Sequence, residues 1–298
     1  MHRHLLAPTL LAIAALCAAE DTPSETPKVE SERGVVRLPE ITVVAEKVRS
    51  PEQIVPVSVS AIDQAKLDAI DAQSVKDAAM SVPNVHVVEF TARIVSQPYF
   101  RGIGSSPGNP AVTTYYDGVP QLHGYTSNLG LLDVEQVEFV RGSQGLFYGR
   151  NTIGGAINVL SRAPGEQWHG AVSAGYGSSE ASEGNFHVSG PLIQGKLGLS
   201  IAGRYEDRDG FTKNDTTGNT LDDREARFFK SQMQWAPADR LSVRFIFTNE
   251  HDHDGDYALG DLAAIRNRPF HVQRDSEGFV NRDVLAPTLI VRYMDPKF

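Results

Sequence analysis

The stretch that decides the fold is LLDVEQVEFVRGSQGLFYGRNTIGGAINVLSRAP, residues 131–164. Within it, Val137, Phe139 and Val140 predict a buried strand that ends at an Arg-Gly pair. Glycines then recur through RGSQG, YGR and GGA, where they permit tight turns and close backbone approach. The run GGAINVLS, residues 154–161, predicts a second strand. The stretch therefore indicates two strands joined by a glycine-rich connection.

The segment around this stretch, residues 51–165, predicts a small α+β domain. The span 61–80 has apolar residues at helical spacing, with a break near Ala72 and a stop at Pro83. Short apolar runs follow, among them VHVVEF and VTTYYDGVP. Asp117-Gly118 lies between two such runs and predicts a β-hairpin turn.

After residue 165, apolar and polar residues alternate along the sequence with a period of two. The segments are WHGAVSAGYG, GNFHVSG, KLGLSIAGRYED, EARFFKSQMQW, RLSVRFIFTNE and PTLIVRYM. Their lengths are close to the ~9–11 residues that a tilted transmembrane strand needs. Trp168, Tyr176, Tyr205 and Trp235 fall near segment ends, where membrane barrels carry aromatic girdles.

The connections between these segments alternate in length. PLIQGK and PADR are short, whereas DGFTKNDTTGNTLDD and the segment that begins at His251 are long. Outer-membrane barrels have short periplasmic turns and long outer loops. A soluble β-sandwich would show the same alternation along its strands, but the loop asymmetry favours the membrane barrel.

The N-terminus predicts a secretory signal peptide over residues 1–19. A basic start is followed by the apolar run LLAPTLLAIAALCAA, which is shorter than the ~20 residues of a membrane-spanning helix. Cleavage is expected after Ala19. The only cysteine, Cys17, lies inside this segment, so the exported chain would have neither disulfides nor zinc-thiolate sites.

Residues 20–50 are rich in Glu, Ser, Thr and Pro and predict a flexible leader. Near its end, in LPEITVVAEK, apolar and polar residues alternate. With no predicted strand partner beside it, this segment suits strand addition to the sheet edge of another protein. It is equally compatible with a short edge strand of the following domain.

The strings FRGIG (100–104), YYDGVPQ (115–121) and the long stretch 131–164 closely resemble the plug of TonB-dependent outer-membrane receptors. The segment ITVVA resembles the TonB box of the family, which assigns that role to Ile41, Thr42, Val43, Val44 and Ala45. The resemblance implies an α+β plug domain followed by an incomplete antiparallel transmembrane β-barrel. Residues 166–298 would supply about six of the roughly 22 strands of such barrels.

The resemblance also implies a function. Such receptors import scarce nutrients, most often ferric siderophores, across the outer membrane of Gram-negative bacteria and are not enzymes. We therefore expect a small-molecule ligand, the TonB C-terminal domain and the outer-membrane assembly machinery as partners, and no cofactor. Arg101 and Arg141 match plug arginines that contact the barrel wall, although both could instead brace the plug. The turns of the plug are assigned to Gly102, Asp117, Gly118, Gln144, Gly145, Gly149, Gly154 and Gly155.

Six strands cannot surround a plug, and an open sheet in lipid leaves edge N–H and C=O groups unpaired. We therefore expect a truncated receptor that does not transport by itself. The alternative is a non-transporting module of the periplasm or outer membrane that binds TonB.

Other classes of function find little support in the sequence. The net charge of −9 and the absence of basic stripes argue against nucleic-acid binding. Residues 104–108 match the G-x-S-x-G pattern of hydrolases, but Pro107 prevents the helix that must follow. The cluster from His251 to Asp256 has metal-binding donor types. Because its spacing matches no known site, we predict an ordinary charged loop and no metal.

Overall fold

The computed structural model describes residues 42–45, 50–52, 55–89, 93–104 and 109–294. The predicted signal peptide, most of the leader and Ile41 lie outside the described residues. Of the candidate TonB box, Thr42 to Ala45 are described. In the following, the plug region is residues 51–165.

The elements up to the end of the plug region are short. They are β1 (Thr42–Val43), β2 (Ser50–Pro51), β3 (Ser58–Asp63), α1 (Gln64–Ala69), α2 (Val75–Ala79), β4 (Val85–Glu89), β5 (Ser96–Phe100), β6 (Val112–Tyr116), β7 (Val119–Gln121), a 3-10 turn (Gly124–Thr126), β8 (Val134–Arg141), α3 (Gly145–Tyr148) and β9 (Gly155–Ser161).

A five-stranded sheet with the order β3-β8-β9-β6-β7 forms the centre of the plug region. Strand β8 pairs antiparallel with β3 and β9, and β9 pairs parallel with β6. Val137, Phe139 and Ile157 of the sheet are fully buried and share one core with Val75 of α2. The predicted strand with Val137, Phe139 and Val140 is therefore confirmed.

The predicted helical span 61–80 is only partly correct. Residues 58–63 form β3, because Val59 and Ile62 bury their side chains while the strand pairs with β8. Asp63 then caps α1 by accepting a hydrogen bond from the backbone N–H of Lys66 at 2.9 Å. Ser74 starts α2 with a capping box. The chain therefore changes from strand to helix inside a span with an apparently helical pattern.

The second half of the chain forms long antiparallel strands with smaller elements in its connections. They are β10 (His169–Tyr176), β11 (Ser182–Ile193), β12 (Leu197–Arg208), β13 (Thr212–Asn214), β14 (Thr220–Leu221), β15 (Arg224–Ala238), β16 (Leu241–Gly255), α4 (Leu262–Asn267), β17 (His271–Val272) and β18 (Phe279–Tyr293).

Six of these strands form one sheet with the order β10-β11-β12-β15-β16-β18, which we call the wall sheet. Every neighbouring pair is antiparallel. Each of the six predicted segments falls on one of these strands and extends at most one residue beyond either end. The predicted length alternation is confirmed too, with tight turns after β11 and β15 and long connections after β12 and β16.

The two faces of the wall sheet have opposite character. Polar side chains such as Ser200, Gln232 and Asp252 are buried, each no more than 1% exposed, on the face that carries the plug region. On the other face, Val172 and Leu289 are 84% and 65% exposed. A soluble sandwich would bury the apolar face. A wall with lipid outside and a polar interior has the observed arrangement.

Within the described part of the chain, no helix combines the length and apolar character that crossing a bilayer would require.

The prediction that residues 251–256 form a loop is wrong, because β16 continues to Gly255. Strand β18 extends alongside it, and His251 and His253 lie opposite Asp283 and Asn281. The long connections that follow β12 and β16 associate in a small sheet of β14, β13 and β17.

Candidate functional site

The segment from Thr42 to Ala45 is packed against the plug region. Strand β1 pairs antiparallel with β2, which places Val43 opposite Ser50. Val43 and Ala45 are fully buried in a small cluster with Val59 and Val140. The sequence left two interpretations equally open for this segment: strand addition to another protein and an edge strand of the following domain. The structure supplies a strand partner, together with a binding surface.

The backbone of this segment is held by side chains of the plug region. The N–H of Val44 donates a hydrogen bond to Glu138 Oε1 at 2.6 Å. The hydroxyl of Tyr148 donates to the carbonyl oxygen of Val44 at 3.2 Å, and Gln136 Nε2 donates to the carbonyl oxygen of Thr42 at 3.0 Å. These hydrogen bonds join plug side chains to backbone groups of the leader segment and therefore do not depend on the identity of the leader side chains.

The four plug side chains Gln136, Glu138, Tyr148 and Asn158 also bind one another, and we call them the leader-binding ring. Gln136 Nε2 donates to Glu138 Oε1 at 2.7 Å. Asn158 Nδ2 donates to Glu138 Oε2 at 3.0 Å and to the Tyr148 hydroxyl oxygen at 2.6 Å. With Val44, these bonds close a loop in which both Glu138 oxygens accept.

The ring lies in a buried setting. Glu138 and Asn158 are opposite each other on β8 and β9, and Glu138 is fully buried. Burial raises the pKa of Tyr148 to about 12, so its hydroxyl keeps the proton that it donates to the leader. Hydrogen bonds to a carboxylate are roughly twice as strong as neutral ones. The ring therefore holds the leader firmly.

The predicted turn residues mostly occupy turns in the plug region. Asp117 and Gly118 form the hairpin between β6 and β7, with φ of 50° and 88°, as a type I′ turn requires. Gly149 follows α3 with φ 77°. Gly155 has φ 148°, and a Cβ there would overlap the carbonyl oxygen of Val140. The other predicted turn residues are Gly102 after β5, Gln144 and Gly145 at the start of α3, and Gly154 before β9.

Arg101 and Arg141, predicted to contact the wall, lie close enough to influence each other. Arg141 donates to the carbonyl oxygen of Pro83 at 3.1 Å and to Ser60 Oγ at 2.9 Å. Burial and the charge of Arg101 lower the pKa of Arg141. Among the described residues, no hydrogen bond or ion pair joins either arginine to the wall sheet. Their contact with a barrel wall stays a prediction.

A different arginine joins the plug region to the wall sheet. Arg93 Nε and Nη2 donate to the two carboxylate oxygens of Asp254 at 2.8 and 2.6 Å. Asp252 Oδ1 lies 3.5 Å and Glu206 Oε2 3.6 Å from the guanidinium. We call these three wall residues the carboxylate cage. Burial alone would lower the pKa of Arg93, but the hydrogen bond to Asp254 and the three negative charges raise it.

A second contact lies at the start of β8. Asp133 Oδ2 accepts hydrogen bonds from Ser200 Oγ at 2.5 Å and from Gln232 Nε2 at 3.0 Å. Lys230 Nζ donates to the carbonyl oxygen of Leu132 at 2.8 Å. Strand β8 therefore begins at a wall contact and carries the leader-binding ring further along.

The signal for these wall residues in the sequence is weak. Polar and charged side chains recur at every second position of the wall strands, where a soluble core would be apolar. Which of them meets which plug group could not be read from the pattern. The carboxylates in the region that was predicted as a loop pair with arginines. Asp252, for example, also accepts a hydrogen bond from Arg282 Nε at 2.7 Å. Among the described residues, no group of His, Cys, Asp and Glu is placed to hold a metal ion.

Comparison with known proteins agrees with this geometry. Residues 51–156 match the family model described as the TonB-dependent Receptor Plug Domain. The chain is 33% identical over 162 residues to the pesticin receptor of Yersinia pestis, an alignment that covers 53% of this chain and 24% of that protein. It is 30% identical over 178 residues to the vitamin B12 transporter BtuB of Photobacterium profundum, covering 58% and 28%. The chain thus spans about a quarter of the length of these curated relatives.

Among solved structures, the fold is similar to that of the ferric yersiniabactin uptake receptor FyuA from Yersinia pestis. The TM-score is 0.75 at 26% identity, and the match covers 81% of this chain and 39% of that one. Both the plug region and the wall sheet therefore have counterparts in a solved uptake receptor. Over residues 51–156 the chain is therefore similar to the plug domain of TonB-dependent receptors, and its fold is similar to that of a ferric yersiniabactin uptake receptor.

Proposed function

We propose that the chain is the N-terminal part of a receptor that imports a ferric siderophore or a similar scarce nutrient across the outer membrane. The observation that carries the proposal is the leader segment, docked by its backbone on a plug that lies against a polar wall face. Two of the relatives are a pesticin receptor and a ferric yersiniabactin uptake receptor, which favours an iron-chelate ligand. The relation to a vitamin B12 transporter leaves a corrinoid as the second ligand class.

The mechanism follows from the arrangement of strands. Residues 41–45 are the segment to which the TonB C-terminal domain would add a strand. Backbone hydrogen bonds would carry the pulling force, and the alternate side chains Val43 and Ala45 would be read by the partner. The force would pass along the chain into β3, which pairs with β8. Arg101 and Arg141 would contact wall strands other than the six described.

The proposed organisation of the chain follows the sequence. Residues 1–19 would be removed on export, residues 20–50 would form the leader, residues 51–165 the plug, and residues from 166 onward the wall. The outer connections, which associate through β13 and β17, would form part of the ligand entrance.

The proposal is tested by binding of the purified TonB C-terminal domain to the full chain in detergent micelles, measured by calorimetry. Val43→Pro should abolish binding, because proline removes a backbone N–H and blocks strand pairing. Val29→Pro, in the leader but outside the segment, is the matched control and should bind normally. Equal binding by both variants would contradict the proposal. Fractionation of expressing cells then reports whether the chain reaches the outer membrane.

A further inference from the structure

Two aromatic side chains from different parts of the chain meet in the long connections of the wall sheet. Phe211 lies in the connection after β12, and Phe270 lies in the connection after β16. Their ring centroids are 5.5 Å apart, and the planes of the rings are inclined at 78°. Phe211 is 49% and Phe270 61% exposed. The two rings therefore form a contiguous exposed apolar patch, which is typical of a binding site where single scattered apolar side chains are not.

The backbone holds Phe270 in a conformation that bulky side chains rarely adopt. Its φ is 62°, in the left-handed region where such a residue is an outlier. The carbonyl oxygen of Phe270 accepts a hydrogen bond from the N–H of Lys213 at 2.9 Å, at the start of the β13–β17 pair. Backbone strain persists where the surrounding structure enforces it, and it is concentrated at ligand-binding sites. The conformation of Phe270 is thus typical of a residue that contacts a ligand.

The two connections that carry the rings are locked together. Asn214 of β13 is fully buried, and its Nδ2 donates to the carbonyl oxygen of Arg274 at 2.9 Å and to Glu277 Oε1 at 2.8 Å. Asp215 accepts a hydrogen bond from Arg268 Nη1 at 2.6 Å. These contacts fix the two rings relative to each other without a ligand, which lowers the ordering cost of binding.

Arg208, the last residue of β12, places a positive charge beside the rings. Its guanidinium carbon lies 4.7 Å from the centre of the Phe211 ring. Nη1 and Nη2 of Arg208 donate to the carbonyl oxygens of Asp209 at 3.1 Å and Asp222 at 2.7 Å, and in the described part of the chain no carboxylate forms an ion pair with Arg208. The carboxylate of Asp222 instead accepts from the N–H groups of Phe211 and Thr212 at 2.9 and 3.1 Å. The charge of Arg208 can therefore attract an anion.

We propose that Phe211, Phe270 and Arg208 form a capture site for a ligand that combines a flat aromatic ring with negative charge, as in an iron chelate built on catecholate or phenolate groups. The inference rests on the proposed function and deepens it by naming the class of chelate. A ring of the ligand packs against the exposed phenylalanine rings, and Arg208 attracts its negative charge. A neutral hydroxamate chelate has no aromatic ring and makes neither contact.

The test is calorimetric titration of the full chain in detergent micelles with two iron(III) complexes. The complex of catechol is aromatic and anionic, whereas the complex of acetohydroxamate is neutral and has no aromatic ring. We expect the catechol complex to bind at least about tenfold more tightly than the acetohydroxamate complex. Phe211→Leu and Phe270→Leu should each weaken binding of the catechol complex by about two- to tenfold, because a ring contact is lost. Arg208→Gln should weaken it by about tenfold, because the charge is lost.

Three further variants show whether such losses come from this site. Phe211→Tyr retains the ring and should bind like the parent chain, which separates the loss of a ring from a disturbance of the connections. Phe229→Leu and Arg227→Gln are matched controls on the face of β15 that does not carry the plug region. Phe229 belongs to a similar aromatic pair, with ring centroids 6.4 Å apart. Arg227 lies 6.0 Å from the centre of the Tyr205 ring but is paired with Glu225 at 2.5 Å. Neither control should change the affinity.

The outcomes separate this inference from the proposed function. Equal affinity for the two complexes, or no measurable binding of the catechol complex, overturns the inference. Equal losses in the site variants and the two controls also overturn it, because binding is then not at this site. If the catechol complex binds through Phe211 and Arg208 but the chain does not bind the TonB C-terminal domain, the site stands and the proposed function fails. TonB binding without binding of the catechol complex leaves the proposed function standing and overturns the inference.

Discussion

The contact between Arg93 and the carboxylate cage provides a quantitative prediction for how the plug is seated. We consider Arg93→Gln, which removes the positive charge. The side chain of Arg93 is 12% exposed, and those of Asp254 and Asp252 are 7% and 0% exposed. Removing one partner of a buried ion pair typically costs about 3–5 kcal/mol, because the other charge remains buried and unpaired.

The seat contains more than one pair, and the expected loss lies near the middle of this range because only one carboxylate loses its main partner. Asp252 still has Arg282 as a partner at 2.7 Å, whereas Asp254 loses both of its short hydrogen bonds to Arg93. We therefore expect Arg93→Gln to lower the free energy of unfolding by roughly 4 kcal/mol. Arg93→Lys retains the charge but cannot form the bidentate pair, so it should lower the free energy of unfolding by less than Arg93→Gln does.

The assay is urea unfolding of the full chain in detergent micelles, followed by the fluorescence of Trp168 and Trp235. Arg268→Gln is the matched control, because Arg268 pairs with Asp215 at 2.6 Å on the surface and is 64% exposed. Exposed pairs contribute about 0–1 kcal/mol. A loss in Arg93→Gln no larger than in Arg268→Gln would refute the reasoning that Arg93 seats the plug.

Two further predictions concern a plug turn and the outer loops. Gly155→Ala should destabilise the chain by about 1–3 kcal/mol or more, because φ is 148° and the added Cβ would overlap the carbonyl oxygen of Val140. Gly145→Ala, where a Cβ meets open space, should leave the urea midpoint nearly unchanged. Equal urea midpoints for the two variants would contradict this prediction. The hydrogen bond from His271 and the charge of Arg268 lower the pKa of Asp215, so the loop contact that it stabilises is complete above the ordinary carboxyl pKa of about 3.9 and is lost as the pH falls further. Hydrogen exchange of residues 209–223 should therefore accelerate below about pH 4 relative to a reference peptide, and Asp215→Asn should remove this acceleration.

The local patterns of the sequence predicted those elements whose signal is carried by neighbouring residues. Alternation at Leu197, Leu199 and Ile201 was sufficient to place a wall strand, and Asp117-Gly118 was sufficient to place a hairpin. Helical spacing across residues 61–80 was misleading at its start, because β3 buries side chains on both of its faces. Val59 packs in the small cluster with Val43 and Val140, and Ile62 packs in the core of the plug region. Periodicity alone cannot distinguish a helix from a strand in segments this short.

The candidate site was harder to predict because its partners are distant in the chain. Val44 and Glu138 are separated by 94 positions, and Arg93 and Asp254 by 161. In the sequence of β8, Glu138 interrupts an otherwise apolar strand. Its partner Asn158 comes to lie beside it only when β9 pairs with β8. The run from residue 251 resembled a charged loop since the alternation of inward carboxylates and outward histidines is also compatible with a polar surface segment.

We propose that residues 41–45 pair as a strand with the TonB C-terminal domain. Disulfide cross-linking tests this most directly, with cysteines placed singly at positions 41 to 45 in the Cys17→Ser chain and one cysteine in the edge strand of the TonB C-terminal domain. We expect adducts whose yield alternates with a period of two along the segment, and a higher yield at every reactive position when Glu138→Gln weakens the hydrogen bond that the plug region makes to Val44. Adducts without alternation, or none above the yield of a cysteine at position 29, would contradict it.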